Sequence, residues 1–420
     1  MPGPIEIRCP IYGFIPLDEW EREIISQPAF QRLRRIKQLA WTDYVYPGAM
    51  HTRFEHSLGV MHMATLLYDN VVDRCWPLLS GKLSYDDAGK RRYKKLVRLA
   101  ALLHDVGHGP FSHAAEDLAP LTPSGMRSYK HEEYSTAVIK GQLRDVIENH
   151  PANNNYGFRA EDISGLIEGG TQAGRSAIWQ DVISGQLDAD RMDYLLRDSH
   201  HAGVEYGKYD WRRIVATVKL VPDPESGTLR FGVHETGRHA AEALIIARYM
   251  MFNQVHFHKT RVILDFHFHE TMTELLPGGK FPPPTPEGIV EYLKWDDWRV
   301  LGALSRQEGG EHGQRLLNRD FFREIWTTPE FPSEQDSLLL NSVEENLGSL
   351  VVARCAAGKS WYKLGDPDLP IAGQDGTKPL SQCSTIVGSM QPTNLTRLYV
   401  SPEHRVKAEE IVKTIRAKEN

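Results

Sequence analysis

Histidine and aspartate residues occur in three apolar stretches that lie far apart along the sequence. LAALLHDVGHGPFSH ends an apolar helical run at His104 and Asp105, after which glycines and Pro110 stop the helix. HTRFEHSLG upstream contains His56, and QLDADRMDYLLRD downstream contains Asp190, both in apolar helical surroundings. Taken singly, His56 or Asp190 could equally be a capped or hydrogen-bonded polar residue, but burying all four without a partner is costly. Two imidazoles and two carboxylates form a mixed N/O donor set, so the sequence predicts one metal centre formed by His56, His104, Asp105 and Asp190.

Packed helices must bring these stretches together. From about Pro16 to His269, apolar residues recur three and four positions apart, as in PAFQRLRRIKQL and HSLGVMHMATLLYDNVV. The segments GTLRFGV and TRLYVSP favour strands, and PEHRVKAEEIVKTIRAK is typical of a closing helix with Pro402 in its first turn. The sequence therefore predicts a mainly α fold with small β elements.

A helix cannot continue through LPGGKFPPPTPEG, which begins at Leu276, because proline lacks the amide donor and glycine raises the entropy cost. We predict a boundary there, between a core at residues 1–275 and a smaller α+β C-terminal lobe at residues 276–420. Within this lobe, a polar passage rich in Gly, Pro and Ser is expected to form a loop around residues 365–393.

Composition excludes several classes of function. The 420-residue chain carries a formal net charge of -6, which disfavours strong binding to nucleic acid. The four cysteines form no CxxC pair, so they indicate neither a disulfide framework nor a thiolate zinc site. No stretch approaches the roughly 18 apolar residues of a membrane span, and the N-terminus MPGPIEIRCP lacks the apolar core of a signal peptide. We therefore expect a cytoplasmic protein without membrane association. The absence of a GxxxxGK[ST] loop argues against a P-loop NTPase.

The strings YVYPGAMHTRFEHSLGV, LLHDVGHGPFSHAAED, DADRMDYLLRDSHHAG and VHFHKT resemble the HD-domain phosphohydrolases. Within that family they look most like the deoxynucleoside triphosphate (dNTP) triphosphohydrolases, over about Phe30 to Thr260. The resemblance implies a helical HD-domain core and hydrolysis of dNTPs to deoxynucleoside and inorganic triphosphate. It also implies one tight site for a divalent or transition metal (Fe, Mn, Mg, Zn or Ni), with a second site left open. A homo-oligomer (dimer, tetramer or hexamer) and an activating nucleotide are further implications, although Ser26 replaces the family's guanine-binding Asp.

The resemblance also implies catalytic roles. His113 matches the general acid, and Glu116 stands where the family has an Asp beside that histidine. His108 and His131 match histidines that help to hold a second metal, water or phosphates. Histidine suits proton transfer because its pKa lies near the working pH.

Substrate contacts are implied in the same way. Contacts to the phosphates and the nucleotide are expected from Arg53, Lys259, Arg248 and Arg191, the last in place of a family Lys. Contacts to the sugar and base are expected from Gln38, Leu39, Asp198, Tyr194 and His256, the last in place of a base-side Tyr. An exposed helix position for Arg248 and simple core packing for Leu39 are equally open.

Two other functions stay open at this level. One is a different HD phosphohydrolase, such as a deoxynucleoside monophosphatase. The other is a nucleotide-sensing assembly subunit in which hydrolysis is weak or gated, an alternative suggested by Ser26 and by the weakly similar C-terminal third.

Overall fold

The computed structural model describes residues 5–168, 176–222, 228–359 and 368–419. Up to residue 275 its α-helices are α1 (Glu19–Ser26), α2 (Pro28–Gln31), α3 (Arg53–Leu83), α4 (Asp87–Leu103), α5 (His131–Lys140), α6 (Arg144–Glu148), α7 (Ala160–Glu168), α8 (Gln180–Ser184), α9 (Ala189–Ala202), α10 (Trp211–Thr217), α11 (Arg238–Met251) and α12 (Lys259–Leu275). Those that follow are α13 (Pro286–Tyr292), α14 (Asp297–Ser305), α15 (Gly310–Leu317), α16 (Glu334–Leu347), α17 (Leu380–Cys383), α18 (Thr385–Ser389) and α19 (Arg405–Glu419). The mainly α prediction is confirmed.

The strands form three small sheets. They are β1 (Ile5–Cys9), β2 (Gly13–Leu17), β3 (Val218–Pro222), β4 (Leu229–His234), β5 (Arg323–Thr327), β6 (Val351–Lys359), β7 (Pro370–Gly373), β8 (Gly376–Pro379) and β9 (Thr393–Val400). β1 and β2 form an antiparallel hairpin, and the four-stranded sheet has the order β3-β4-β7-β8 with β4 and β7 parallel. The third sheet has the order β5-β9-β6 and is antiparallel throughout.

Helix α3 is the central element of the fold. Thr52 and Glu55 form a capping box at its start, and it packs against both α4 and α9. Helix α9 also begins at a defined cap, because the Asp188 side chain accepts a hydrogen bond from the Arg191 backbone N–H at 2.7 Å. In the turn after α4, Gly107 lies directly against α5, since a Cβ there would be 2.1 Å from the Ser135 backbone nitrogen. The start of α3, the end of α4 and the start of α9 lie close together in this packing.

The chain buries two hydrophobic clusters of unequal size. The larger one contains buried apolar residues from most of the helices and continues past residue 275 through Phe281 and Tyr292 to Phe322. The smaller one lies between the β5-β9-β6 sheet and helices α16 and α19, and includes Trp326, Leu340, Val343, Leu347, Leu398, Val400, Ala408 and Val412. The helix break at Leu276 is therefore not a break in the core, and a division of the chain there stays a prediction.

Several local predictions can be compared with these elements. The strands at GTLRFGV and TRLYVSP and the closing helix are confirmed as β4, β9 and α19. The loop predicted around 365–393 is wrong for its described part, which contains β7, β8, α17 and α18. Leu369, Ile371, Leu380 and Val387 explain this difference, because these few apolar residues are buried in the main core. Residues 360–367 lie outside the described ranges. In the described part of the chain, no helix is both long and apolar enough to cross a membrane.

Candidate metal centre

The structure brings the four predicted metal ligands together. Nε2 of His56 lies 3.0 Å from Oδ1 of Asp190 and 3.4 Å from Oδ2 of Asp105. Nε2 of His104 lies 3.3 Å from Oδ1 of Asp105 and 3.7 Å from Oδ1 of Asp190. Atoms bonded to one cation at about 2.0–2.2 Å lie roughly 3.0–3.5 Å apart. Three of the four distances fall in this range and the fourth, at 3.7 Å, is slightly longer, so the group is close to the spacing of a shared ion.

Burial and hydrogen bonding at the two histidines support the same interpretation. Among the described residues, Nε2 of His56 and Nε2 of His104 are buried without a hydrogen-bond partner. The other ring nitrogen of His104 lies 2.8 Å from the Ala101 carbonyl oxygen and donates to it, so Nε2 keeps its lone pair. A buried nitrogen with a lone pair and no partner is costly unless a cation binds it. The donor set therefore fits a divalent or transition metal.

A second layer fixes His56 from behind. Its Nδ1 lies 2.8 Å from Oδ2 of Asp193, which also accepts from Nε of Arg197 at 2.8 Å, while Oδ1 accepts from Nη2 at 2.8 Å. Burial raises the pKa of Asp193, but Arg197 and then His56 outweigh it and hold the value at about 2. Gly59 makes the close packing feasible, because a Cβ there would lie 2.0 Å from Asp193 Oδ1. An ionised carboxylate of this kind orients a metal-binding imidazole.

Arg53 connects the predicted ligands to the neighbouring loop. Its guanidinium donates to Oδ2 of Asp105 through Nη1 and to the Ser112 hydroxyl through Nε at 2.9 Å. Burial raises the pKa of Asp105, but Arg53 and then the histidines beside it lower that pKa well below its ordinary value. Phe111 and Ser112 adopt left-handed φ values of 54° and 57°, which are unfavourable for side chains with a Cβ. Asp297 offsets this cost by accepting the Phe111 backbone N–H at 2.7 Å.

Four residues form a second group, which we call the histidine cluster: His108, His113, Glu116 and His131. Oε1 of Glu116 accepts from Nδ1 of His113 at 2.9 Å and from Nδ1 of His131 at 2.6 Å. Glu116 therefore hydrogen-bonds the predicted general acid, His113. The ring of His108 stacks on that of His131 with centroids 4.0 Å apart, and its Nε2 lies 3.3 Å from Asp105 Oδ1. The histidine cluster thus lies directly beside the predicted metal ligands.

The charges within the histidine cluster are unequal. Burial raises the pKa of Glu116, but His113 and then His131 lower that pKa well below its ordinary value. Burial lowers the pKa of His131, but Glu116 outweighs it, so the pKa is raised overall. Burial, Arg53 and His131 all lower the pKa of His108 well below its ordinary value. These shifts favour the ionised form of Glu116, the protonated form of His131 and the neutral form of His108.

A cavity of about 990 Å³ opens over these groups. Its lining includes most of the predicted site residues: Gln38, Leu39, Arg53, His104, Asp105, His108, His113, Glu116, His131, Asp190, Arg191, Tyr194, Asp198, Arg248 and His256. His56 is fully buried, so it contacts the other predicted ligands without lining the cavity. Catalytic and substrate-binding candidates from the sequence therefore surround one space.

Lys259 is the predicted site residue that the structure separates from this cavity. It lines a different cleft, where its ammonium group lies 3.7 Å from Oε1 of Glu324. The side chains of α12 that face the cavity include Arg261 and Asp265. Lys259 precedes Arg261 by two positions, about 200° around a helix, so it points elsewhere. The structure thus does not place Lys259 at the cavity that the other candidates line, and its contact with the substrate phosphates stays a prediction.

Comparison with known proteins identifies the family. A sequence model described as "HD domain" matches residues 53–195, and one described as "HD associated region" matches residues 209–346. An uncharacterized protein of Methanocaldococcus jannaschii is 30% identical over 416 residues, which cover 96% of this chain and 80% of that protein. The chain belongs to the HD phosphohydrolase family.

Relatives of this HD phosphohydrolase include proteins with a named activity. It is 29% identical over 269 residues to the deoxynucleoside triphosphate triphosphohydrolase SAMHD1 homolog of Dictyostelium discoideum, covering 63% of this chain and 48% of that protein. It is 34% identical over 235 residues to the human deoxynucleoside triphosphate triphosphohydrolase SAMHD1, covering 51% of this chain and 36% of that protein. The chain thus spans about half the length of these enzymes or less. A crystal structure of a hypothetical protein from Aquifex aeolicus superimposes with a TM-score of 0.80 at 29% identity, covering 98% of this chain and all of that one.

Several residues of this HD phosphohydrolase site were not singled out from the sequence. Asp193 and Arg197 are four residues apart in an apolar stretch, which is the spacing of an ion pair on one helix face. His51 lies 2.8 Å from Oδ1 of Asp198 through its Nε2 and so fixes that carboxylate. Arg261 and Asp265 line the cavity with the same spacing of four. Strand β6 also lines it, although nothing in the sequence connects that strand with the HD motifs.

Proposed function

We propose that this HD phosphohydrolase hydrolyses dNTPs to the deoxynucleoside and inorganic triphosphate. The observation that carries the proposal is the convergence of His56, His104, Asp105 and Asp190 at one cavity that Tyr194 and other sugar-side candidates also line. Relatives whose names denote the same activity support it, over about half of this chain.

The phosphate end of the cavity carries the charges that hydrolysis needs. A divalent cation bound by the four ligands would supply an activated water and neutralise charge on the phosphate oxygens. Arg53 offers a planar guanidinium that is already fixed by Asp105 and Ser112. The raised pKa of His131 favours its protonated form, which adds a second positive charge to the cavity that Arg53 also lines. Both groups are held in place before the substrate arrives, which lowers the cost of reorganisation.

Proton transfer to the leaving oxygen falls to His113. Its Nδ1 donates to Glu116, which leaves Nε2 directed away from that carboxylate and able to give a proton to the O5′ of the deoxynucleoside. The side chain of His113 is 56% exposed, so substrate can reach it. Glu116 acts by orienting this imidazole through the hydrogen bond to Nδ1.

The sugar end of the cavity carries groups suited to a deoxyribose. The buried Asp198 carboxylate is fixed by His51 and can accept a hydrogen bond from the 3′-hydroxyl. Among the described residues, Oε1 of Gln38 is buried without a hydrogen-bond partner, as expected of a group that a ligand would satisfy. Leu39 and Tyr194 contribute apolar surface beside it. A 2′-hydroxyl brought against such surface would lose its hydrogen bonds to water.

Product analysis tests this proposal. Metal-loaded protein is incubated with each dNTP and with deoxynucleoside monophosphates, and the products are separated by ion-exchange chromatography. We expect inorganic triphosphate from dNTPs and none from His56→Ala, whose folding is checked by thermal unfolding. Release of only mono- or diphosphates would overturn the proposal, and hydrolysis of monophosphates would indicate a different HD phosphohydrolase. Nucleotide binding without turnover across metals and nucleotide mixtures would indicate the sensing subunit.

Assembly is a separate part of the proposal. We propose a homo-oligomer and an activating nucleotide, because family resemblance is the support for both. Sedimentation of the full chain with and without each nucleotide measures them, and a monomer under all conditions would overturn this part.

A further inference from the structure

One face of helix α12 extends the cavity beyond its sugar end. Arg261, Asp265 and His269 follow one another at intervals of four residues and all line the cavity. Strand β6 forms another part of the wall through Cys355 and its small neighbours Ala356, Ala357 and Gly358. Small side chains at this wall leave room for a planar group.

A chain of contacts connects this face to the proposed sugar site. Oδ2 of Asp198 lies 3.5 Å from Nε2 of His256, whose carbonyl oxygen accepts from Nη1 of Arg261 at 3.0 Å. Nε of Arg261 in turn lies 3.6 Å from Oδ2 of Asp265. Because Asp198 is the proposed contact of the 3′-hydroxyl, a deoxynucleotide seated there would direct its base toward Arg261 and Asp265.

Two polar atoms at this end have no hydrogen-bond partner within the described part of the chain. They are Nε of Arg261 and Oδ1 of Asp265, and both are shielded from solvent. Burial raises the pKa of Asp265 to about 6, with Arg261 opposing it only in part. Unsatisfied buried groups of this kind cost free energy, which a ligand with complementary hydrogen-bonding groups would recover.

The two groups define the hydrogen bonds that a base must provide. An ionised carboxylate only accepts, and a guanidinium only donates. Guanine presents two adjacent donors, N1–H and the 2-amino group, next to the acceptor O6. Adenine has an acceptor at N1, thymine has one donor flanked by two carbonyls, and cytosine has its amino group as the only donor on this edge. Guanine is thus the base that gives the carboxylate two donors while offering the guanidinium an acceptor.

We propose that Asp265 and Arg261 select guanine, so that dGTP is the preferred dNTP. This inference rests on the proposed function, since it assumes that the cavity binds a dNTP with its sugar at Asp198. Asp265 accepts from N1–H and the 2-amino group, and Arg261 donates to O6. A site that hydrogen-bonds a substrate group discriminates strongly against analogues that lack the group, because its own polar atoms then stay unpaired.

Asp265→Asn tests the inference as a change of preference. The amide keeps the shape of the carboxylate but replaces one acceptor with a donor. Deoxyxanthosine triphosphate carries a carbonyl where guanine has the 2-amino group, so it matches the variant better than dGTP does. For the wild type we expect kcat/KM for dGTP to exceed that for dATP and dTTP about 10-fold or more. In Asp265→Asn we expect dGTP to lose about 10-fold and deoxyxanthosine triphosphate to become the better substrate. Asp73→Asn, an exposed carboxylate on α3, is the matched control and should retain the wild-type order.

Binding and turnover together separate this inference from the proposed function. Calorimetric binding of dGTP, dATP, dCTP and dTTP to the full chain is measured beside turnover. Equal affinity and equal kcat/KM for the four bases would overturn guanine selection, even if inorganic triphosphate is released from each. A preference for dGTP that persists unchanged in a folded Asp265→Asn would also overturn it. Preferential binding of dGTP without triphosphate release would support the inference and contradict the proposed reaction.

Discussion

Replacing Asp193 with Asn tests whether the carboxylate behind His56 orients this histidine for metal binding. The substitution keeps the size of the side chain but removes its charge and one of its two acceptor oxygens. Asp193 accepts from His56 and twice from Arg197, each at 2.8 Å, and none of the three side chains is exposed. The new amide can satisfy only part of this set, because an N–H group would face a donor of Arg197 or of His56.

Two magnitudes follow from these contacts. Loss of the layer that orients a metal-binding histidine costs about 10- to 100-fold in metal affinity, or roughly 1.4–2.8 kcal/mol. Complete loss of the partner of a buried charge costs about 3–5 kcal/mol of folding stability. Arg197 also donates to Oε2 of Glu55 at 3.2 Å, so we expect a cost at or below about 3 kcal/mol. We therefore expect Asp193→Asn to remain folded at 25 °C with a lowered Tm and to bind Mn²⁺ about 10- to 100-fold more weakly.

The assay is a Mn²⁺ titration of metal-free protein, followed by the electron paramagnetic resonance signal of free Mn²⁺. Thermal unfolding of the same samples reports the stability change. Asp73→Asn is the control, since its carboxylate is 73% exposed and pairs only with Lys90 at 3.6 Å among the described contacts. If folded Asp193→Asn bound Mn²⁺ within twofold of the wild type, the carboxylate would not orient His56 for a metal, and this part of the account would be wrong.

Three further predictions concern other parts of the chain. Glu116→Gln removes the charge that holds His113 and His131, so kcat should fall about 100-fold or more. Because the Glu116 carboxylate raises the pKa of His131, the basic limb of the pH–rate profile should also move to lower pH. Gly107→Ala puts a Cβ 2.1 Å from the Ser135 backbone nitrogen, so thermal unfolding should show a loss of about 3 kcal/mol or more, or no folded protein at all. Arg98 helps to outweigh burial and lower the pKa of Glu21 from 4.5 to about 2. The stability that this gives, about 3 kcal/mol, is fully present above pH 4.5 and is lost as the pH falls toward 2. Urea unfolding between these pH values should therefore show a smaller decrease for Glu21→Gln than for the wild type.

The sequence was sufficient for the candidate ligands because each lies in a recognisable motif. His104 and Asp105 mark the end of an apolar helix, and His56 and Asp190 lie inside apolar stretches where an unpaired charge would be costly. Helical periodicity also predicted the mainly α fold, and alternation predicted β4 and β9.

Contacts between distant segments could not be predicted from the sequence. Asp193 meets His56 across 137 residues, and no local pattern indicates which of several acidic residues in DADRMD faces that histidine. From the sequence, Gly59 is only a residue of low helix propensity, and the reason for a glycine there is clear only once the Asp193 carboxylate is seen to pack against it. Lys259 was predicted from motif position alone, and the helical phase of α12 directs its side chain to another cleft.

Short elements were missed for a different reason. In the β1–β2 hairpin, β1 (IEIRC) alternates apolar and polar residues over only five positions and β2 (GFIPL) does not alternate, so neither strand stands out before the helices begin. The passage after residue 365 reads as loop because Gly, Pro and Ser dominate it, yet a few apolar residues such as Ile371 and Leu380 pack into the main core. Burial of isolated side chains depends on the surrounding fold, which composition does not specify.

The position of an oxygen label tests the central claim most directly. The metal-loaded protein hydrolyses dGTP in water labelled with heavy oxygen, and mass spectrometry locates the label in the products. Attack of water on the α-phosphorus breaks the bond to O5′, so the account predicts one labelled oxygen in inorganic triphosphate and none in deoxyguanosine. Label in orthophosphate or pyrophosphate, or in the deoxynucleoside itself, would contradict it.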